Sequence, residues 1–453
     1  MNELRPSSGP LTFGRLGAYA APALPLAVVV FPSYAILPGF YAQHTAIPMA
    51  TIGVILIVAR AFDAIVDPLI GYLSDRTRSR WGSRKPWVLA GSAILAVAIL
   101  QLYAPAPTVG AAYYLGWFLL FYFGYSLIEI AHKAWGTDLA RSYVERSAIA
   151  MSLAFAFALG NFAFAAAPLV FPAGTGTYDA EILSYIAWAT AIALPLCAGG
   201  ALLFVPEGKT VETDKVRYIA TLRDAIRNGP LLRFLSIFLF TGLGQGIFYG
   251  LIYLYVSFVM QLNALFAWVL LTDAAVTLVS VPVWYRLVTA LQKHRAWALG
   301  MLISAAAILG IGFLPTEPAA FPVLIVLVAL RAFGAGVITV APNALLGDVV
   351  DYELMKRKVN RAANFHALVS LATKCTATIG GGVGLILVGL AGFDAKTPVT
   401  EDVAQTFQYV ALLLPTVILL VAAGLAVGFP LDRAKHEIVR RRIEDGGNHV
   451  STV

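Results

Sequence analysis

Charged residues and cysteines are both scarce in this chain. Asp, Glu, Lys and Arg make up 13% of its 453 residues, against about a quarter in soluble domains. The two cysteines, Cys197 and Cys375, lie within apolar stretches and give neither a disulfide framework nor a metal-binding spacing. The chain also lacks GxSxG, HExxH, CxxC and P-loop motifs. These absences exclude a soluble globular domain, and we expect no enzymatic activity and no cofactor.

Long apolar runs are abundant, with 59% hydrophobic residues and a mean hydropathy of +0.78. A helix needs about 20 residues to cross the hydrocarbon core of a bilayer. Twelve runs reach about that length, and we number them as spans one to twelve: 14–41, 47–74, 86–104, 111–139, 147–173, 181–206, 231–261, 265–290, 296–314, 320–347, 362–392 and 405–430. They predict an all-α polytopic membrane protein with 12 transmembrane helices in two six-helix bundles. The first ten residues predict no cleaved signal peptide.

The positive charges fall on one side of this topology. Of 32 Lys and Arg residues, five lie further inside the runs, and one, Lys396, lies in a loop on the opposite side. The remaining 26 lie in the termini and the five loops that share their side, or in the first three residues of an adjoining run, as Arg15 and Arg233 do. By the positive-inside rule, we expect both termini to be cytoplasmic. We also expect the chain to reside in a cytoplasmic (inner) membrane. The net charge of +7 thus follows from topology and does not indicate nucleic acid as a partner.

The chain repeats its plan in two halves. Its longest polar interruption lies between residues 207 and 230, where Tyr218–Arg227 could form a short amphipathic helix. A shift of 210 residues aligns Asp63 with Asp273, Trp87 with Trp297, and Asp138 with Asp348. Two six-helix repeats with a site between them are typical of transporters. We therefore expect an N-terminal bundle at 1–206, a central loop at 207–230, a C-terminal bundle at 231–430 and a cytoplasmic tail at 431–453.

Span two carries two carboxylates within the membrane. Asp63 and Asp67 are four residues apart and share one face of the predicted helix with Arg60. A carboxylate at the centre of a membrane helix costs about 2.5–3.5 kcal/mol even on lenient scales. The pattern favours a proton or cation site, and the alternative is an Arg60–Asp63 ion pair that joins helices.

Spans four and eleven also carry titratable residues. Glu129, His132 and Lys133 lie within one turn, which favours a wet cavity over a purely structural Glu129–Lys133 pair. Lys374, deep in span eleven, needs a carboxylate partner. The glycines from 380 to 384 favour close helix packing over phosphate binding, because no strand precedes them. Asp273 and Arg331 could pair, in either a structural or a functional role.

Taken together, these residues resemble the major facilitator superfamily, and within it the glycoside–pentoside–hexuronide:cation symporters of the melibiose permease type. The resemblance covers nearly the whole chain. It is strongest between Ala59 and Ser92, where the D-x-x-x-D-P pattern of Asp63 to Pro68 precedes a basic loop. It implies cation-coupled symport of a small solute, a glycoside or sugar derivative, by a monomer. Its two halves would rock so that the site opens to one side of the bilayer and then to the other, which is alternating access. The coupling ion is H⁺ or Na⁺.

The resemblance also implies roles for single residues. Asp63 and Asp67 match the cation-site aspartates and would be the metal ligands for Na⁺, with Ser126 as a hydroxyl ligand. Glu129 matches an acid that binds sugar and communicates with the cation, and Lys374 matches a lysine that interacts with these carboxylates. The expected substrate site consists of Glu129, His132, Lys133 and Lys374. Asp75, Arg76 and Arg80, in GYLSDRTRSR, match an intracellular gate.

Several positions depart from the family pattern. Lys133 stands where a sugar-stacking tryptophan is expected, and Val66 stands where an asparagine often precedes the second aspartate. Spans one and five lack the expected acid and arginine. Because of these departures, a lysophospholipid or amphiphilic anion stays open as the substrate, and H⁺ is slightly favoured over Na⁺ as the coupling ion. The alternative of another class is a passive facilitator or channel.

Overall fold

The structure, a computed structural model, describes residues 12–106, 108–140, 142–171, 176–207, 228–358 and 362–448. Within this part the regular elements are helices. The predicted amphipathic helix at Tyr218–Arg227 lies outside the described residues. The α-helices are α1 Phe13–Ala20, α2 Ala23–Ala35, α3 Leu37–His44, α4 Met49–Arg76, α5 Lys85–Tyr103, α6 Ala111–Leu139, α7 Tyr143–Val170, α8 Ala180–Phe204, α9 Gly229–Leu254, α10 Phe266–Leu291, α11 Lys293–Gly312, α12 Phe321–Ala335, α13 Ala341–Arg357, α14 Ala362–Leu390, α15 Glu401–Gln408, α16 Leu414–Val427 and α17 Arg433–Asn448.

Within the described residues, twelve helical stretches are long and apolar enough to cross a membrane, from Phe13–Ala35 to Glu401–Val427. Each predicted run corresponds to one of them, which confirms the predicted fold class. Span one is broken at Pro22, as its sequence suggests, because proline lacks the backbone N–H that continues a helix. Span ten extends beyond the predicted run, from Pro318 to Arg357, and a short 3₁₀ segment at Gly336–Thr339 divides it.

Polar side chains cap several of these helices at the membrane surface. Asp179 accepts the backbone N–H of Ile182 at 2.9 Å, and Asn228 accepts that of Leu231 at 3.0 Å. These bonds satisfy N–H groups that have no partner within the helix. The caps define where α8 and α9 begin.

The described residues belong to two compact units. The first comprises Met1–Ile47 and Val58–Thr213, and the second comprises Pro48–Ile57 and Asp214–Val453. In the first unit α5 packs against α6 and α8, and α2 packs against α7. In the second, α9 packs against α14, and α11 packs against α12 and α16. The exact bundle limits expected at 206, 230 and 430 remain predictions.

Glycines allow α9 and α14 to approach closely in the second unit. A Cβ on Gly250 would lie 2.6 Å from the Cα of Gly381, and one on Gly380 would lie 2.6 Å from the carbonyl oxygen of Leu243. Neither position has room for a side chain. The structure thus confirms helix packing as the role of the glycine cluster in span eleven.

Candidate functional site

Asp63 lies at the centre of a buried polar cluster in the first unit. It is 2% exposed, and its Oδ2 lies 2.5 Å from Nη1 of Arg60, one turn earlier on α4. Its Oδ1 accepts a hydrogen bond from Oγ of the buried Ser126 on α6, also at 2.5 Å. The Arg60 guanidinium lies 5.0 Å above the ring of Tyr122. The structure therefore brings together Asp63 and Ser126, which the resemblance assigns to one cation site, and it also forms the Arg60–Asp63 pair.

Asp67 lies one turn further along α4 and is partly buried. It is followed by Pro68 within the same helix. Among the described residues, no group of three or more His, Cys, Asp or Glu side chains could hold a metal ion. A Na⁺ site at this position would therefore depend on two carboxylates together with hydroxyl or carbonyl oxygens.

Glu129 and Lys133 form an ion pair along α6. Nζ of Lys133 lies 2.6 Å from Oε1 of Glu129. The lysine side chain is 64% exposed, whereas the glutamate is 13% exposed. Glu129 is three residues after Ser126, so the acid and the partner of Asp63 share one face of α6. The predicted substrate residues therefore adjoin the predicted cation residues on one helix.

His132 packs inside the first unit. It is 3% exposed, and its ring lies against that of Tyr19, with the ring centroids 4.3 Å apart. Nε2 of His132 is 2.7 Å from the carbonyl oxygen of Tyr19, and the Tyr19 hydroxyl donates to the carbonyl oxygen of His132. Trp135 completes this cluster. The geometry favours a structural role for His132, linking α1 to α6, over the expected contact with substrate.

Lys374 lies on α14 in the second unit and is partly buried. Its expected carboxylate partners, Asp63, Asp67 and Glu129, belong to the first unit. Their pairing with Lys374 stays a prediction.

Asp75, which the resemblance assigns to a gate, pairs with Arg84, a residue that the sequence pattern did not single out. Its Oδ1 lies 2.6 Å from Nη1 of Arg84, whose side chain is 6% exposed. Arg84 also reaches Oδ2 of Asp138 at 3.3 Å and donates to Oγ of Ser74 at 2.9 Å. Arg84 thereby joins the end of α4, the start of α5 and the end of α6.

The other two expected gate residues point to aromatic rings. The Arg76 guanidinium lies 4.2 Å from the ring centroid of Tyr72, and that of Arg80 lies 5.7 Å from the centroid of Trp81. The sequence did contain a signal for the Arg84–Asp138 pair, because the internal repeat aligns Asp138 with Asp348.

The second unit has a counterpart of the Arg84–Asp138 pair. Nζ of Lys293 lies 2.6 Å from Oδ1 of Asp348, the residue that the repeat aligns with Asp138. In both units an acid at the end of the fourth helix of the half pairs with a base at the start of the third. This shared geometry supports the internal repeat.

Asp273 and Arg331 form the buried charge pair of the second unit. Arg331 is 0% exposed and contacts Oδ1 of Asp273. It also donates to Tyr249 at 2.8 Å and to Gln245 at 2.9 Å. The Tyr249 hydroxyl lies 3.0 Å from the other carboxylate oxygen of Asp273. The expected pair therefore forms, within a network of four polar side chains.

In the described part of the chain, twelve helices are long and apolar enough to span a membrane, and some of them carry buried ion pairs, which is typical of polytopic transporters. The family model described as "MFS/sugar transport protein" matches residues 18–433. The chain belongs to this family, which confirms its resemblance to the sugar:cation symporters of the major facilitator superfamily.

Relatives and solved structures agree with that membership. The chain is 26% identical to a "Glucuronide carrier protein homolog" of Escherichia coli, over 89% of each chain. It is 22% identical to a "Sodium-dependent lysophosphatidylcholine symporter 1-A" of Danio rerio, over 90% of this chain and 84% of the relative.

Among solved structures, the nucleoside transporter NupG matches with a TM-score of 0.61 at 13% identity, over 95% of this chain and 99% of NupG. A bacterial homolog of the human lysosomal transporter Spinster also matches with a TM-score of 0.61, at 14% identity, over 97% of this chain and 99% of that one. These two likenesses concern the fold. The family and its relatives are transporters, not enzymes.

Proposed function

We propose that this transporter is a cation-coupled symporter of a sugar-derived solute and works by alternating access. One observation carries the proposal: α6 presents Ser126, which binds Asp63 at 2.5 Å, and Glu129, which binds Lys133 at 2.6 Å, on the same face. A shift in α6 caused by the ion would therefore reach the substrate residues within one helical turn. Such proximity gives a short physical route for coupling.

Asp67 is the proposed coupling carboxylate. A cation that binds Asp63 must compete with the Arg60 guanidinium, 2.5 Å away. The internal repeat pairs Asp67 with Thr277, so this acid belongs to one half only. Asp63, by contrast, has an acidic counterpart in Asp273, which is itself paired with an arginine.

The proposed coupling ion is H⁺, with Na⁺ as the alternative. Val66 provides no side-chain oxygen beside Asp67, whereas Na⁺ prefers several oxygen ligands. A proton needs only one carboxylate. Each elementary charge that moves inward gains about 2.3 kcal/mol per 100 mV of membrane potential, which is sufficient to drive accumulation.

The proposed substrate is an acidic sugar derivative. Lys133 is 64% exposed, although its ammonium is paired with Glu129. A carboxylate on the solute could bind this ammonium, while sugar hydroxyls donate to Glu129. The name of the Escherichia coli relative, a glucuronide carrier homolog, points to the same class of solute.

The Asp75–Arg84–Asp138 network is proposed as the gate on the cytoplasmic side. It connects three helix ends of the first unit, so its opening would free these ends to move. We place both termini on this side, in a cytoplasmic membrane, and we expect the monomer to be the working unit.

The test is uptake of radiolabelled glucuronides by proteoliposomes under an imposed proton or sodium gradient. Wild-type protein should accumulate the solute against its gradient, and Asp67→Asn should only equilibrate it. Asp402→Asn makes the same change at an exposed helix start and should behave as wild type. Equal accumulation by Asp67→Asn would refute the coupling role, and equilibration by wild type under both gradients would indicate a passive facilitator.

A lysophospholipid is the second candidate solute. The Danio rerio relative matches 90% of this chain and is named for lysophosphatidylcholine. Lys133 could bind a lipid phosphate as well as a sugar carboxylate. In the same proteoliposomes, uptake of labelled lysophosphatidylcholine that requires Lys133, without any uptake of glucuronide, would favour this candidate.

A further inference from the structure

A cavity of about 490 Å³ lies in the second unit, and none of the proposed transport residues lines it. It is enclosed by the end of α10, the start of α11, the helix α13 and the C-terminal helix α17. Cavities of this size hold small-molecule ligands in other proteins. The proposed function gives this cavity no role.

The lining of the cavity is rich in basic side chains. It includes five that are or can become positively charged, against two carboxylates: Lys293, His294, Arg433, His436 and Arg440, with Asp348 and Glu437. The carboxylates are already engaged. Asp348 binds Lys293 at 2.6 Å and His436 at 3.2 Å, and Glu437 lies 3.5 Å from Arg433. Three permanent cations in the lining outnumber its two carboxylates, and a further carboxylate outside the lining, Asp351, lies 2.9 Å from His436.

Arg440 and His294 are the basic side chains of the lining that these ion pairs do not use. Among the described residues, Arg440 makes no ion pair. His294 is 4% exposed, and within the same part of the chain its ring nitrogens have no hydrogen-bond partner; its ring lies near Phe429. Because His294 lines the cavity, a ligand there could supply the missing acceptor.

The start of α11 adds backbone donors at the same place. This helix of 20 residues begins at Lys293, and its N-cap, Gln292, makes no side-chain cap. The first N–H groups of a helix have no partner within it, and the helix dipole places partial positive charge there. Asp348 already compensates Lys293 at this positive end, and Arg295, which is exposed, adds a further basic side chain there.

We infer that this cavity binds a phosphate-bearing anion. Backbone N–H groups at a helix start, an arginine and a histidine are common donors to phosphate oxygens. The phosphate would bridge α11 and α17, and would hold the C-terminal helix against the unit. Two sources share this chemistry: the headgroup of an anionic lipid in the adjoining leaflet, and a soluble phosphate ester.

The test measures thermal unfolding of the purified full-length protein in nonionic detergent. The probes are inorganic phosphate, glycerol phosphate and phosphatidylglycerol, with phosphatidylcholine of the same acyl chains as the neutral-headgroup control. Arg440→Gln removes the leftover arginine. Arg441→Gln removes the same charge from the same helix, at a residue that does not line the cavity.

We expect a phosphate-bearing probe to stabilise the protein saturably. The affinity for the probe should be about tenfold lower in Arg440→Gln, because one charge-assisted hydrogen bond is lost. The affinity should be unchanged in Arg441→Gln. Saturation by glycerol phosphate or inorganic phosphate would identify a soluble ligand, and saturation by phosphatidylglycerol alone a lipid headgroup. No saturable effect with any probe, or affinities altered equally or not at all in the two variants, would overturn the inference.

Discussion

Arg331 has a fully buried charge, and its neighbours explain how the fold accommodates it. Asp273 neutralises the charge, while Tyr249 and Gln245 accept further N–H groups. The rings of Phe248 and Tyr249 lie 4.9 and 4.7 Å from the guanidinium carbon. A charge transferred from water to such a site is tolerated only when it is paired and hydrogen-bonded.

Asp273→Asn should therefore destabilise the protein strongly. Loss of one partner of a buried pair costs about 3–5 kcal/mol, because the other charge remains buried. The free energy of unfolding in mixed micelles measures the effect. The control Lys435→Gln breaks an exposed pair with Asp432, at 3.8 Å, and should cost less than about 1 kcal/mol. Replacing Asp273 and Arg331 together by leucine should recover much of the loss; similar losses in the aspartate variant and the control would contradict this account.

Arg84, rather than Arg76, should be the arginine on which the gate depends. Arg84→Gln removes the partner of Asp75 and Asp138 and should lower the free energy of unfolding by about 1.5–3 kcal/mol, the range for hydrogen bonds to charged groups. Arg76→Gln loses only the contact with the Tyr72 ring, worth about 0.5–1 kcal/mol at an exposed site. Both variants are compared by thermal unfolding and by uptake rate. A larger effect of Arg76→Gln would restore the gate expected from the sequence.

At the scale of the element, small residues decide which helices approach closely. Helix α14 contacts α9 through glycines on both helices, and Gly382 lies against Gly53 at the start of α4, which belongs to the same unit. Without a hydrophobic driving force between helices in lipid, such close contact supplies much of the packing energy. The cluster in span eleven is thus a packing surface.

Gly380→Ala tests that surface. The added methyl group would meet the carbonyl oxygen of Leu243 and the nitrogen of Ile247, at 2.6 and 3.0 Å, and overpacking costs about 1–3 kcal/mol. Gly199→Ala is the matched control, because a Cβ there meets nothing within 4 Å and should add about 0.5–1 kcal/mol of helix stability. The unfolding temperatures of the two variants should shift in opposite directions. An unchanged unfolding temperature in Gly380→Ala would show that α9 and α14 can separate at little cost.

At the scale of the whole molecule, charge distribution predicts the orientation in the membrane. The loop with Lys396 and the tail with Arg440, Arg441 and Arg442 fall on opposite sides of span twelve. Transfer of several arginines across a bilayer is unfavourable, so we expect the basic side to stay in the cytoplasm.

Cysteine labelling measures this orientation. Cys197 and Cys375 are first replaced by alanine, and this background serves as the unlabelled control. In intact cells a membrane-impermeant maleimide should label Thr397→Cys and spare Arg442→Cys, which should react only after permeabilisation. The reverse pattern would show that the basic side faces outward.

The sequence by itself determined the class, the twelve spans, the expected orientation and the family resemblance. Span length and hydropathy are sums over neighbouring residues, so they can be obtained without any tertiary contact. The acids and bases within the spans could be identified in the same way, because each is conspicuous against an apolar background.

Only the tertiary structure decided which side chains meet. Ser126 meets Asp63 from 63 residues away, Arg84 replaces Arg76 and Arg80 as the partner of Asp75, and His132 packs against Tyr19. No local pattern encodes these partners, because they depend on the rotation and depth of separate helices. The basic cavity beneath α17 arises for the same reason: residues from four helices form it, and these residues are far apart in the sequence.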